Sequence, residues 1–342
     1  MTHPTPRRRV LVVAAAAAAA AAATAAAVAA VALLALAGPA FAQDAWPNKP
    51  VRLVVPFSPG GSTDVIGRLL GQKLSVLWGQ PVIVENRAGA GGNVGADVVA
   101  KAPADGYTLL MASGSITINP SLYKRMPFDT KKDLVPINNV TQGPMLVVVP
   151  DNSPYKTLKD LIGAAKAKPG TINFGSAGVG SQVHLAGENF ADAAGLDLSH
   201  VPYKGEALAY NDLVSGQVQM MVGNFAAASA LVGPNRLRAL AVTSRQRMPQ
   251  LPDVPSAHEA GLPGFENIGW FGLLAPAGTP AAVIQKVQRD TARAMAETEM
   301  KARLYVQGLQ PVVNSSAEFT GQIDDELQRW AKIVASRKLQ AN

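Results

Sequence analysis

The chain has 342 residues, a formal net charge of +7 and no cysteine. Without cysteine there is no disulfide, no thiol nucleophile and no Cys-ligated metal. The basic residues form no long run and do not interleave with aromatics, so the charge reads as a solvated surface with some attraction for anions, not as a nucleic-acid interface.

Residues 1–42 read as an export signal rather than as part of the fold. Arg7-Arg8-Arg9 form a positive start, an alanine-rich apolar stretch runs from Val10 to Ala37, and Ala40-Phe41-Ala42 offers small residues where a signal peptidase reads them. Cleavage after Ala42 is expected, giving a periplasmic chain that begins at Gln43. The apolar stretch is also long enough for a membrane anchor, and Arg8-Arg9 leaves twin-arginine export open beside the Sec route. The segment holds three arginines and no acidic residue, so the formal charge without it is +4. An exported chain without disulfides suits a bacterial periplasm. The remaining roughly 300 residues suffice for two lobes with cores of their own.

Next comes Pro50-Val-Arg-Leu-Val-Val-Pro-Phe-Ser-Pro-Gly-Gly-Ser-Thr-Asp64. Val51–Val55 reads as a buried strand ended by Pro56 and Pro59. Gly60-Gly61 turn the chain. Ser62 is expected to cap a helix near 62–78 whose apolar residues Val65, Ile66, Leu69, Leu70, Leu74 and Leu77 share a face. A strand, a glycine turn and a helix N-terminus together can bind an anion, because the first helical N–H groups lack partners. An ordinary αβ corner has the same pattern.

Further strands are expected at 82–85, 107–112, 145–149, 171–174, 218–222 and 237–243, and helices near 93–101, 157–167, 181–194, 205–215 and 280–305. The alternation predicts an α/β protein with mainly parallel sheets. A last helix at about 316–338 carries Phe319, Ile323, Leu327, Trp330 and Val334 as one apolar stripe, read as packing on the body. No Pro/Ser-rich linker divides the chain, which fits lobes joined by strands that cross and return. Met145–Pro150 and Asn267–Ala275 are the expected crossings. Residues 43–146 and 268–342 then form lobe I, and 147–267 lobe II.

Several turns repeat the first device at strand ends: Ala112-Ser-Gly-Ser115, Gly175-Ser-Ala-Gly-Val-Gly-Ser181 and Tyr203-Lys-Gly205. In open α/β sheets ligands bind at such ends. These turns supply many N–H and hydroxyl donors and few fixed charges. Asp64 reads either as a favourable charge at a helix start or as a cleft residue, His184 as packed, capping or contacting a ligand, and Asn224 as a polar contact or a helix cap.

Three stretches carry a resemblance. Val54-Val-Pro-Phe-Ser-Pro-Gly-Gly-Ser-Thr-Asp64 is followed by Gly79-Gln-Pro-Val-Ile-Val-Glu-Asn-Arg-Ala-Gly-Ala-Gly-Gly-Asn-Val-Gly95, and later by Trp270-Phe-Gly-Leu-Leu-Ala-Pro-Ala-Gly-Thr-Pro280. Together with Pro103–Leu110, Phe174–Gly178, His184–Gly187, Val201–Gly205, Leu237–Ser244, Leu251–Pro255 and Glu259–Gly264, they closely resemble the TctC/Bug family. These are the substrate-binding proteins of tripartite tricarboxylate transporters. The match covers nearly all of the chain after residue 45.

The resemblance implies a two-lobed periplasmic binding protein fold, type II-like, with the ligand cleft between lobes joined by crossing strands. It implies capture of a small organic anion, a carboxylate above all, by loop donors and ordered waters. Phe57, Gly60, Gly61, Asp64, Ser113, Ser115, Ser176, Gly178, Ser181, His184, Tyr203 and Asn224 are the expected ligand contacts. A membrane permease is the implied partner, and the chain is expected to be a monomer without cofactor or metal. Three places depart from the family pattern: Glu206 stands where a second glycine is usual, Val222-Gly-Asn-Phe225 replaces a Phe-Asp-Asn type of run, and Leu231–Arg236 replaces a His-containing approach to Leu237.

The rival class is an exported hydrolase of small esters or amides. Neither Ser176 nor Ser181 meets G-x-S-x-G, and no acidic orienter for His184 is evident. There is no P-loop, Gly89–Gly95 spells no dinucleotide fingerprint, and the four histidines are scattered without metal-ligand spacing. A structural envelope protein, the third class, would need no convergent donor turns.

Overall fold

The structure, a computed structural model, describes residue 17, residues 19–27 and residues 46–341. Residues 19–27 are helical and belong to a unit of their own, separate from the compact unit Pro47–Asn342. Arg7–Arg9, the cleavage site at Ala40–Ala42 and the start at Gln43 lie outside the described residues. Among those described, no helix is long and apolar enough to cross a membrane.

In the larger unit, β1 (Val51–Val55), β2 (Val82–Asn86) and β3 (Thr108–Ser113) pair in parallel. They alternate with α1 (Ser62–Trp78), α2 (Asn93–Ala100) and α3 (Ser115–Leu122). The long strand β4 (Leu134–Pro150) runs antiparallel to everything it touches. Its first part, Leu134–Pro144, pairs with β9 (Ile268–Pro276), which in turn pairs with β3. Its second part, Met145–Pro150, pairs with β7 (Met221–Asn224) and β8 (Leu237–Val242). The short strand β10 (Gln310–Pro311) closes the far edge on β4. The sheet is therefore mixed, not mainly parallel as expected. Only the strands joined by helical crossovers are parallel. β5 (Asn173–Ser176) and β6 (Ser199–Pro202) form a separate parallel pair.

β4 passes from one set of strands to the other at Pro144-Met145, and β9 returns at Ile268. Of the segments expected to cross, Met145–Pro150 is the second part of β4 and Ile268–Ala275 lies within β9, with Asn267 just before it. The first half of β4 was not foreseen. Pro136, Asn138, Asn139, Gly143 and Pro144 blur its pattern, and its register shifts twice against β9.

Helices cover both ends of the sheet: α4 (Leu158–Ala167), α5 (Gln182–Ala194), α6 (Glu206–Val214) and the single turn α7 (Phe225–Ala228) toward β5–β8, then α8 (Ala281–Ala296), α9 (Thr298–Val306) and α10 (Ser316–Ser336). The expected helix 280–305 is two helices, broken at Glu297, whose ψ of 137° is extended. Two cores result. Val54, Leu110, Trp270, Leu274, Phe319 and Ile323 pack in one; Val147, Phe174, Phe190, Val222 and Leu240 pack in the other. Phe57, from the loop after β1, packs into the second core. The α10 stripe buries Phe319, Ile323, Trp330 and Val334 on the body, as expected, at about 1.5–3 kcal/mol for each large apolar side chain.

Candidate functional site

Segments at the ends of five strands meet at one small cavity. Phe57, Gly61 and Thr63 enter from the β1–α1 corner, Ser113 from the end of β3, and Ala177, Ser181, Gln182 and Val183 from the β5–α5 turn; Glu206 and Asn224 complete the wall. The space is about 10 Å³, the room of a single water.

The corner after β1 is not capped as expected. Gly61 is the N-cap of α1 and makes no side-chain cap, while Ser62 is already helical. The Ser62 N–H donates instead to Glu206 Oε2, at 2.9 Å. Glu206 Oε1 accepts from the Asn224 backbone N–H at 3.1 Å and from Asn224 Nδ2 at 2.9 Å. The Glu206 carboxyl is buried, and that burial raises its pKa against the lowering effect of these donors. Among the described residues no cation pairs with it.

Gln182, the first residue of α5, ties the loops together. Its Oε1 accepts from the Gly114 N–H and the Trp270 N–H, both at 3.1 Å, and its Nε2 donates to Asn224 Oδ1 at 2.8 Å. Beyond it lies a second cavity of about 140 Å³, walled in part by Gly114, Trp270, Glu326 and Arg329. Trp270 Nε1 donates to Glu326 Oε2 there at 2.9 Å.

The remaining expected contacts fall into two groups. Phe57, Gly61, Ser113, Ser181 and Asn224 reach the cavity. Ser181 is also the N-cap of α5, its Oγ accepting from the His184 N–H at 3.2 Å, so its own O–H remains free to turn inward. Ser113 Oγ and Ser115 Oγ share a hydrogen bond of 3.0 Å, which places Ser115 just behind the wall.

Gly60, Asp64, Ser176, Gly178, His184 and Tyr203 stand outside the wall, each with a bracing role. Asp64 accepts from the Gly60 N–H, Arg68 Nε and Asn86 Nδ2. Burial opposes its ionisation, yet these donors hold its pKa below the ordinary value. Tyr203 Oη donates to Asp212 at 2.7 Å; burial, then that carboxylate, pushes its pKa up to about 12. His184 accepts the Gly180 N–H on Nδ1 and stacks on His200 at 3.9 Å between ring centres.

Ser176 Oγ lies 2.6 Å from His200 Nε2 and also accepts the Gly178 N–H. This is the nearest approach to a serine–histidine pair. Ser176 is fully buried, and burial, then neighbouring His184, lowers the His200 pKa to about 3. The pair braces the 175–181 turn. Among the described residues no three His, Asp or Glu side chains gather as metal ligands.

Residues 66–339 match the Tripartite tricarboxylate transporter family receptor, TctC. The chain belongs to this family. It is 39% identical over 305 residues to protein BugT of Bordetella pertussis, covering 89% of this chain and 93% of that one. It is 40% identical over 300 residues to a Pseudomonas protein encoded in a tcbD-tcbE intergenic region, covering 87% and 89%. The fold matches the periplasmic binding protein BugD with a TM-score of 0.83 at 32% identity, over 87% of this chain and 100% of that one. It also matches two Rhodopseudomonas palustris proteins, one solved with adipate (TM-score 0.83, 34% identity, 86% and 99% covered) and MatC with bound malate (0.80, 31%, 84% and 100%). The family is one of transporter receptors, not of enzymes, and the α/β fold is that of periplasmic binding proteins.

Sequence reasoning missed Thr63, Ala177, Gln182 and Val183 as wall residues, and it singled out Glu206 only as a departure. A glutamine opening a helix just after a capping serine gives little warning that its amide spans four segments.

Proposed function

We propose that the chain is exported, loses residues 1–42, and captures a small organic acid in the periplasm between two lobes, residues 43–146 with 268–342 and residues 147–267. What carries the reading is the convergence at one cavity of loops that open helices, with the Gly61 turn at α1, Ser113 before α3 and Ser181 at α5 facing it, while Gln182 and Asn224 tie the wall together. Helix starts and hydroxyls favour an anion without an arginine clamp, each terminus by about 0.3–1 kcal/mol when exposed and up to about 2 when partly buried. The adipate and malate of the two neighbours support a carboxylate as the ligand class.

The seam between the proposed lobes is shut by hydrogen bonds from Ser58 to Lys204, Ser62 to Glu206 and Tyr123 to Val179, and by the two that Gln182 accepts. A cavity of one water's size must open to admit an acid, so binding couples to a hinge at Pro144-Met145 and Ile268. The closed protein, a monomer, would deliver its ligand to a membrane permease of the tripartite type.

A thermal-shift screen of the chain from Gln43 against organic acids, with product analysis in parallel, tests this. Ligand at a hundred times its Kd adds about 2.7 kcal/mol of stability. A saturable shift without turnover is expected. Turnover of an ester or amide would support the hydrolase instead, and no response to any acid would refute acid capture.

A further inference from the structure

Glu206 brings a carboxylate of its own into the cavity. Its two oxygens take three donors: the Ser62 N–H at the start of α1, the Asn224 N–H, and the Asn224 side-chain amide. These are the groups a ligand's acid would seek at that end of the site. The carboxyl lies directly against the Gly61 turn: a Cβ built there would be in ordinary contact with Glu206 Oε2, at 3.5 Å. Two carboxylates side by side in a dry pocket repel strongly, and no cation is paired with Glu206 among the described residues to offset that. A carboxylate has about four acceptor positions, so after these three donors one remains, for which a ligand donor competes with the neighbouring buried Ser62 hydroxyl.

We propose that Glu206 stands in for the acid group of a ligand, so that this chain takes at the Gly61 end a hydrogen-bond donor, such as a primary amide or an ammonium, and discriminates against a second carboxylate. The ligand class is then a monocarboxylate whose far end donates, its single acid held by the Ser113 and Ser181 side of the cavity. This rests on the cavity being the ligand site.

The test uses three matched pairs that differ in one end group: succinate and succinamate, glutarate and glutaramate, adipate and adipamate. Calorimetry on the chain from Gln43 at pH 7 is run for the wild type, Glu206→Gly and Glu206→Gln. The glycine variant frees the volume and the three donors; the glutamine variant keeps the volume and removes the charge, and its circular dichroism shows whether the fold is kept. The wild type is expected to bind at least one monoamide at least about tenfold tighter than its diacid, as for a charged hydrogen bond won or lost. Glu206→Gly is expected to reverse the order, and Glu206→Gln to narrow the gap. Diacids bound as tightly as monoamides by the wild type, with no gain in Glu206→Gly, would overturn the proposal while leaving acid capture intact. Failure of all six compounds with all three proteins would overturn acid capture at this cavity, and the proposal with it.

Discussion

Gly205→Ala is a wedge placed at the seam and outside the cavity wall. Gly205 has φ 163° and ψ 162°, an extended backbone that alanine adopts without strain. The obstacle lies across the seam. A Cβ there would stand 2.0 Å from Ser58 Oγ and 2.9 Å from the Ser58 backbone nitrogen. The hydroxyl can rotate away. The backbone nitrogen cannot, and it is held by its 3.2 Å hydrogen bond to the Lys204 carbonyl. The loop must back off, and overpacking of this kind costs about 1–3 kcal/mol. If the two loops belong to different lobes, the cost falls on the closed form alone. A ligand that binds only the closed form then loses about 5- to 150-fold in affinity. The assay is calorimetry with the tightest acid from the screen, with circular dichroism to confirm folding and solution scattering to follow compaction. Unchanged affinity and unchanged compaction in a folded Gly205→Ala protein would refute the seam as the surface that closes.

Three further outcomes are expected. Gln182→Leu leaves two buried backbone N–H groups and the Asn224 side-chain amide oxygen without their partner; at about 1–3 kcal/mol each, less what water from the adjoining cavity restores, about 2–4 kcal/mol is lost, seen as a fall in Tm of roughly 3–6 °C. A melting temperature within one degree of wild type would contradict that role. His200 has a folded pKa of about 3, below its ordinary 6.5, so the unfolded chain takes up the proton first and stability falls as pH drops from 6.5 toward about 3. His200→Asn should flatten that limb of the denaturation profile, and an unchanged slope would show that His200 does not set it. Trp270 hangs by its backbone N–H from Gln182 and by its indole from Glu326. A saturable fluorescence change on ligand binding should therefore be mostly lost in Trp270→Phe while binding persists; full retention of the signal would remove Trp270 from the moving seam.

Much of the fold was legible because β-branched runs and helical stripes carry their own period. Val51–Val55 and the α10 stripe fall where the pattern put them. β5 and β7 lie two to three residues later than expected, because backbone pairing continues past the last apolar residue into Gly175-Ser176 and Gly223-Asn224. That shift puts Asn224 at a strand end, beside the cavity. Long-range partners stayed hidden. Ser62 looked like a cap, but its N–H is served by Glu206, far away in the chain. The Ser176–His200 contact depends on β6, a four-residue strand too short and too polar to announce itself. The glycine turns were readable as a class of site, while the sorting of their residues into wall and brace required the packing of α5 and α6.

In the proposed function a small acid is held at the cavity where Gly61, Ser113, Ser181 and Asn224 meet. A crystal structure of the chain from Gln43 grown with its tightest-binding acid tests it most directly. The acid is expected in contact with residues of both proposed lobes at that cavity, with one carboxylate on the Ser113 and Ser181 side. An acid bound elsewhere, or touching residues 147–267 alone, would contradict it.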